Sequence, residues 1–209
     1  MTITRLLIAR HGNTFTSDQT PTRVGLKTDL ALVPSGQLQA QKLAHYLTDH
    51  NLVPDLIFTS VLKRTIEMGT LIEDTLDTSI PSEHLSIFNE IDYGPDENKT
   101  EEDVIARIGA QAIAAWNDRT IVPEGWKVNP EAIVTDWKKF GKQCADEYKG
   151  KTILAITSNG MARFAPHLTE SFEAFAATQD IKISTGALCI LEKSDTDEFW
   201  TIKGWNIRA

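Results

Sequence analysis

The chain has 209 residues, an ordinary 41% share of apolar side chains and a formal net charge of -8. Length and composition suit one fairly large domain, or one domain carrying an insertion. The acidic balance excludes a general nucleic-acid binder, which needs a broad basic face, but a small anionic ligand can still be held by a local cluster of Arg and Lys. The first element is Arg5-Leu6-Leu7-Ile8-Ala9, a continuous apolar run of the kind that makes a strand buried on both faces. Ile3 to Ala9 is too short for a signal-peptide core, and Arg10-His11 follow it without a cleavage pattern. Pro34-Ser35-Gly36 opens a helix with Ser35 as the expected N-cap and Ala40, Leu43, Ala44 and Leu47 as its apolar stripe. Asp55 to Thr59 is a short strand, and Leu62 to Leu76 is a helix expected to turn Ile66, Leu71 and Ile72 inward.

Further along, Ile80 to Ile87 is read as extended, and Thr152 to Thr157 is the clearest strand in the chain. Ala187 to Leu191 and Phe199 to Ile202 form a last pair across the polar turn Lys193 to Glu198. This alternation predicts an α/β fold, a three-layer sandwich with a mostly parallel central sheet and an antiparallel edge. The stretch 96–150 breaks the rhythm with Trp116, Trp126 and Trp137 and two helix-like runs, Glu101 to Trp116 and Pro130 to Tyr148. It is read as an inserted helical cap on a single domain spanning 1–209. No segment is long enough to span a bilayer. Cys144 and Cys189 show no metal-ligand or redox spacing and are expected to be reduced and buried, which points to the cytoplasm.

Four motifs carry chemistry, and three of them directly follow a strand, where open α/β sheets bind ligands. In Arg10-His11-Gly12, the Arg offers a planar fork for phosphate, the His an imidazole nitrogen able to attack phosphorus, and the Gly a backbone that can approach an anion without a Cβ. Asn13 and Thr14 add short polar donors. Thr59-Ser60-Val61-Leu62-Lys63-Arg64-Thr65 places Arg64 about one turn into a helix, where the dipole favours an anion. Asn89-Glu90-Ile91-Asp92-Tyr93-Gly94 offers Glu90 as the acid that protonates a leaving oxygen, with Asp92 as its rival. Ile156-Thr157-Ser158-Asn159-Gly160-Met161-Ala162-Arg163 runs from the clearest strand through a loop toward a helix, and Ser158, Asn159 and the backbone amides there are candidate donors to phosphate.

Taken in order, the four pieces resemble the histidine phosphatase superfamily, in its phosphoglycerate mutase-like branch, over most of the chain from Leu6 to about Ile190. The resemblance implies a phosphohistidine on His11, protonation of the leaving group by Glu90, and a phosphate held by Arg10 and Arg64; the motifs themselves add Asn13, Asn159 and Gly160 as phosphate-binding candidates. It implies no cofactor or metal, since the arginines supply the charge that Mg²⁺ supplies elsewhere. One position departs from the pattern: where the family usually has a second His, this chain has Asn159, which can donate a hydrogen bond but cannot carry a positive charge. Losing a charged donor at such a site typically costs about 10²–10³ in rate. His167 is the one histidine downstream and is expected about two turns from the loop.

Three functions are in view. The first is hydrolysis of phosphomonoesters through phosphohistidine. The second is a phosphoglycerate-type mutase, which in the family carries paired arginines after a Trp in the cap; here Asn117 and Asp118 follow Trp116, with a single Arg119. The third is a phosphate-ligand binding protein with weak or no catalysis because of Asn159. In each case the partner is a small phosphorylated molecule rather than nucleic acid or a membrane. Lys99, Arg107, Arg119 and Lys127 are candidates for reading a second anionic group, each set against the plainer role of a solvated surface charge.

Overall fold

In the computed structural model, which describes residues 2–209, β1 (Ile3–Arg10) and β4 (Thr152–Thr157) lie side by side and parallel at the centre of a six-stranded sheet. β2 (Leu56–Thr59) and β3 (Ser82–His84) extend it in parallel beyond β4. β5 (Leu188–Ser194) and β6 (Thr201–Ile207) close the other side as an antiparallel pair. The central strands are apolar throughout because successive side chains point to opposite faces and both faces are covered. Leu6, Ile8, Ile153 and Ala155 enter one core, while Leu7, Ala9, Leu154 and Ile156 enter the other.

α1 (Pro34–Asp49) and α2 (Lys63–Leu76) build the second of these cores. α1 starts without a side-chain cap: Pro34 takes the first helical position, Val33 becomes the N-cap, and the expected cap Ser35 falls inside the first turn. α2 buries Thr65, Met68, Gly69 and Ile72, so its inward stripe is shifted from the one expected, and Ile66 and Leu71 stand at its margin. The extended stretch expected at 80–87 is shorter, giving way after β3 to a 3-10 turn at Ser86–Phe88.

The stretch 96–150, expected as a helical cap, forms three α-helices. α5 (Pro130–Glu147) lies on the sheet itself: Trp137, Phe140 and Cys144 share a core with Leu6, Phe58 and Ile153. α3 (Glu101–Ile108) and α4 (Ala110–Arg119) reach the same core through Val104, Ile113 and Trp116, and the single helix expected there is broken at Gly109, whose φ of 83° no other residue type adopts cheaply. The three tryptophans of the region are buried, and the indole N–H groups of Trp126 and Trp137 are satisfied by Asp96 Oδ2 and the Met161 carbonyl. α6 (Asn159–Ala162) and α7 (Phe172–Ala176) complete the chain's helices among the described residues. Cys144 and Cys189 are free and buried, and burial raises both thiol pKa values, that of Cys189 to about 12. Among the described residues no helix is long and apolar enough to cross a membrane.

Candidate active site

The registers of β1, β2 and β4 end together: Arg10 pairs with Thr157, and Thr59 with Ile156. The segments that follow these strands therefore emerge side by side at one edge. With the loop around Glu90 they surround an open cleft of about 720 Å³, whose wall includes Arg10, His11, Asn13, Glu90 and Asn159.

His11 is 5% exposed, and its Nδ1 lies 2.8 Å from the carbonyl of Gly12. A carbonyl only accepts, so Nδ1 carries the proton and Nε2 keeps its lone pair. Burial lowers the imidazole pKa well below its usual value, and the charges of Arg64 and Arg10 push the same way. The side chain is thus held neutral in the tautomer a nucleophile needs. In ¹⁵N-histidine-labelled protein, His11 should keep the signature of the neutral Nδ1–H tautomer at pH values near and below about 6.5, where an exposed imidazole is half protonated. Titration of His11 at that ordinary value would contradict the arrangement.

Two arginines flank this imidazole. Arg10 donates from Nη1 to the Ile183 carbonyl at 2.7 Å. Arg64, fully buried, does not line the cleft; its Nη1 donates to Thr28 O at 2.8 Å and its Nη2 to Gly25 O at 3.2 Å. The Nε of each is buried and has no partner. Two unsatisfied cationic donors within electrostatic reach of one imidazole form a site that an anion would complete.

Glu90 is held on the same wall. Its Oε1 accepts from the amide of Ile91 at 2.9 Å, and its Oε2 from the amide of Gly160 at 3.2 Å. The Gly160 amide, expected to serve phosphate, is therefore engaged by the carboxylate instead. A Cβ on Gly160 would stand 2.1 Å from Glu90 Oε1, which explains the glycine. Gly12 is also needed for a neighbour other than the anion: a Cβ there would lie 2.5 Å from the carbonyl oxygen of Gly36, where α1 begins. Asp92, the rival acid, is turned away, pairing with Lys27 at 2.9 Å and accepting from the Gly94 amide at 2.8 Å. Asn13 is strapped on both sides: its Oδ1 accepts from Thr185 Oγ1 at 2.6 Å and its Nδ2 donates to Ser35 Oγ at 3.3 Å.

Asn159 lines the cleft where the second His was expected. Its Oδ1 accepts from the amide of Ile183 at 2.9 Å, and the carbonyl of that same Ile183 receives Arg10. The carboxamide thus ties the 183 segment down, keeps Arg10 in place, and leaves Nδ2 as a neutral donor toward the cleft. An imidazole could hold the Ile183 amide only when neutral, so it could not both accept there and carry charge. Asn159→His is accordingly expected to lower kcat/KM by about 10-fold rather than raise it. A rise of that size would show that the site lacks a cation at this position. His167 does not substitute; it stacks on Phe172 with ring centroids 4.0 Å apart.

The cleft also contains residues that sequence reasoning did not assign: Arg23, Arg163 and Lys182. A signal for Arg163 was present, since it follows Asn159 by four residues and so by one helical turn. None of Lys99, Arg107, Arg119 or Lys127 lines the cleft, and Arg107 is held by Asp96.

Comparison with known proteins gives the family and the fold. The family model described as the histidine phosphatase superfamily (branch 1) matches residues 6–208. The 2,3-bisphosphoglycerate-dependent phosphoglycerate mutase of Mycobacterium tuberculosis (strain ATCC 25618 / H37Rv) is 27% identical over 146 residues, covering 68% of this chain and 56% of the mutase. The chain thus matches little more than half the length of that relative. Among solved structures, one described as mycobacterial hydrolase 1 superposes with a TM-score of 0.80 at 18% identity, covering 99% of this chain and 100% of the other. A mycobacterial glucosyl-3-phosphoglycerate phosphatase superposes with a TM-score of 0.77 at 17% identity, covering 98% and 99%. At these identities the superpositions speak for the fold.

Proposed function

The chain belongs to branch 1 of the histidine phosphatase superfamily, and from that premise we propose that it hydrolyses phosphomonoesters of small molecules through a phosphohistidine on His11. One observation carries the reading: a buried imidazole whose Nδ1 is bound to the Gly12 carbonyl, leaving Nε2 free beside two arginines with unpartnered donors. Arg10 holds the phosphoryl oxygens, the buried Arg64 adds its positive charge beside the imidazole, and the Asn159 carboxamide adds a neutral donor. Nε2 forms a bond to phosphorus as the ester P–O bond breaks, and Glu90 delivers a proton to the departing oxygen. Water then attacks the phosphohistidine and gives its proton to Glu90. The N–P bond breaks, and inorganic phosphate leaves.

A mutase would instead return the phosphoryl group to the substrate. Asn117, rather than an arginine, follows Trp116 at the cleft wall, which favours hydrolysis. The two outcomes differ in product. With 3-phosphoglycerate, hydrolysis is expected to release free phosphate, whereas accumulation of 2-phosphoglycerate without phosphate would establish the mutase.

A further inference from the structure

We propose that the cleft contains a second anion site, built on Arg163 and Arg23, that selects phosphomonoesters whose leaving group carries its own carboxylate or phosphate; this rests on the phosphomonoesterase reading above. Arg163 is only 1% exposed, yet it belongs to the cleft wall. Its guanidinium lies 4.5 Å from the centre of the Trp116 ring, and its position is fixed by Nη1 on the Trp116 carbonyl at 2.9 Å and Nε on the Asn159 carbonyl at 3.2 Å. Those two bonds leave Nη2 for a ligand. Burial lowers its pKa to about 10, so the group remains charged at neutral pH.

Its charge is not among those that act on the nucleophile. The cations that act on His11 are Arg64 and Arg10. Arg163 is instead under the influence of Tyr93, Glu90, Arg10 and Arg23, so its charge bears on the acid and not directly on the nucleophile. Arg23 completes the pair. It stacks 5.0 Å from the Trp126 ring centre and 5.5 Å from that of Tyr93, and its Nε is buried without a partner. Its Nη2 pairs with Glu101, a half-exposed carboxylate that can yield to a ligand at little cost. A structural role as a support for Trp116 accounts for the bonds of Arg163. It does not account for a second guanidinium in the same wall whose buried Nε has no partner. A carboxylate or second phosphate would meet both forks, whereas a neutral alcohol would leave them unsatisfied.

The test uses two matched pairs: glycerol 3-phosphate against 3-phosphoglycerate, and phenyl phosphate against 3-carboxyphenyl phosphate. The carboxylated member of each pair is expected to have a kcat/KM about 10- to 100-fold higher. That preference should fall to near parity in Arg163→Met and in Arg23→Gln, while Arg163→Lys keeps part of it. Because the readout is a ratio within each variant, a general loss of active protein cancels, and thermal melting identifies any variant that fails to fold. No preference in the wild type, or a preference unchanged in both Arg163→Met and Arg23→Gln, overturns the second site. If no phosphomonoester is turned over and no acid-labile phosphoprotein forms, the phosphatase reading fails instead. The same pairs are then compared by titration of tryptophan fluorescence. Tighter binding of the carboxylated member, lost in Arg23→Gln, supports the site, and equal binding overturns it.

Discussion

Replacing His11 with alanine is expected to lower kcat/KM on every phosphomonoester substrate by about 10⁴-fold or more, the scale seen when an enzyme loses its nucleophile. It should also abolish the acid-labile phosphoprotein that the wild type forms. Few other groups in the cleft could take over the attack. The neighbouring cations are guanidiniums, which hold their protons at any ordinary pH. His84 is bound to Thr59 Oγ1 at 2.7 Å, and His167 is stacked against Phe172. Alanine also removes the donor that satisfies the Gly12 carbonyl, so His11→Asn makes a useful companion. Its carboxamide can restore a hydrogen bond there while offering no nucleophile. Both variants should be inactive, with the asparagine variant melting nearer the wild type. Turnover at the wild-type rate in either one would rule out the phosphohistidine route.

The second large effect is expected from Gly160→Ala. Alanine is the better helix former, so the backbone of α6 gains from the change. The added Cβ would nevertheless stand 2.1 Å from Glu90 Oε1 and 2.9 Å from Ile91 Cγ1, and the carboxylate must move. A displaced general acid costs about 10²–10³ in kcat when the leaving group needs a proton. The loss should therefore be large for alkyl phosphates and much smaller for 4-nitrophenyl phosphate, whose leaving group departs as a stable anion. Glu90→Gln should reproduce the same split. Equal losses on both esters would place the damage elsewhere than at the acid.

Much of this was legible in the chain, for identifiable reasons. β4 occupies the span expected, Thr152 to Thr157, because a strand buried on both faces has no polar interruption to blur its ends. The motif residues converge because three of them end parallel strands, a property of chain order alone. What escaped depends on partners distant in sequence. The amphipathic stripe of α5 shows that a face is buried but not what covers it, which in the fold includes Leu6 and Phe58 of the sheet. Proline at the start of α1 moved the cap position by two residues, and Gly109 split a helix whose periodicity ran through it. Arg23 and Arg163 stand 140 positions apart, and only the folded cleft brings them to one wall. Asn159 has a second aspect for the same reason. Measured against the family pattern it is a missing charge, whereas in the fold it is the acceptor for Ile183 and through it a support for Arg10.

The two buried thiols bear on how such a protein would fare under oxidative stress. Oxidants attack thiolates, and burial keeps both Cys144 and Cys189 protonated and out of reach. A phosphatase that attacks with cysteine must expose a thiolate and can be silenced by peroxide; an imidazole nucleophile carries no such weakness. The chemistry assigned to this cleft is then indifferent to the redox poise of its surroundings. The same burial removes the ground for reading a compartment from the cysteines, since thiols sealed in a core stay reduced wherever the protein works.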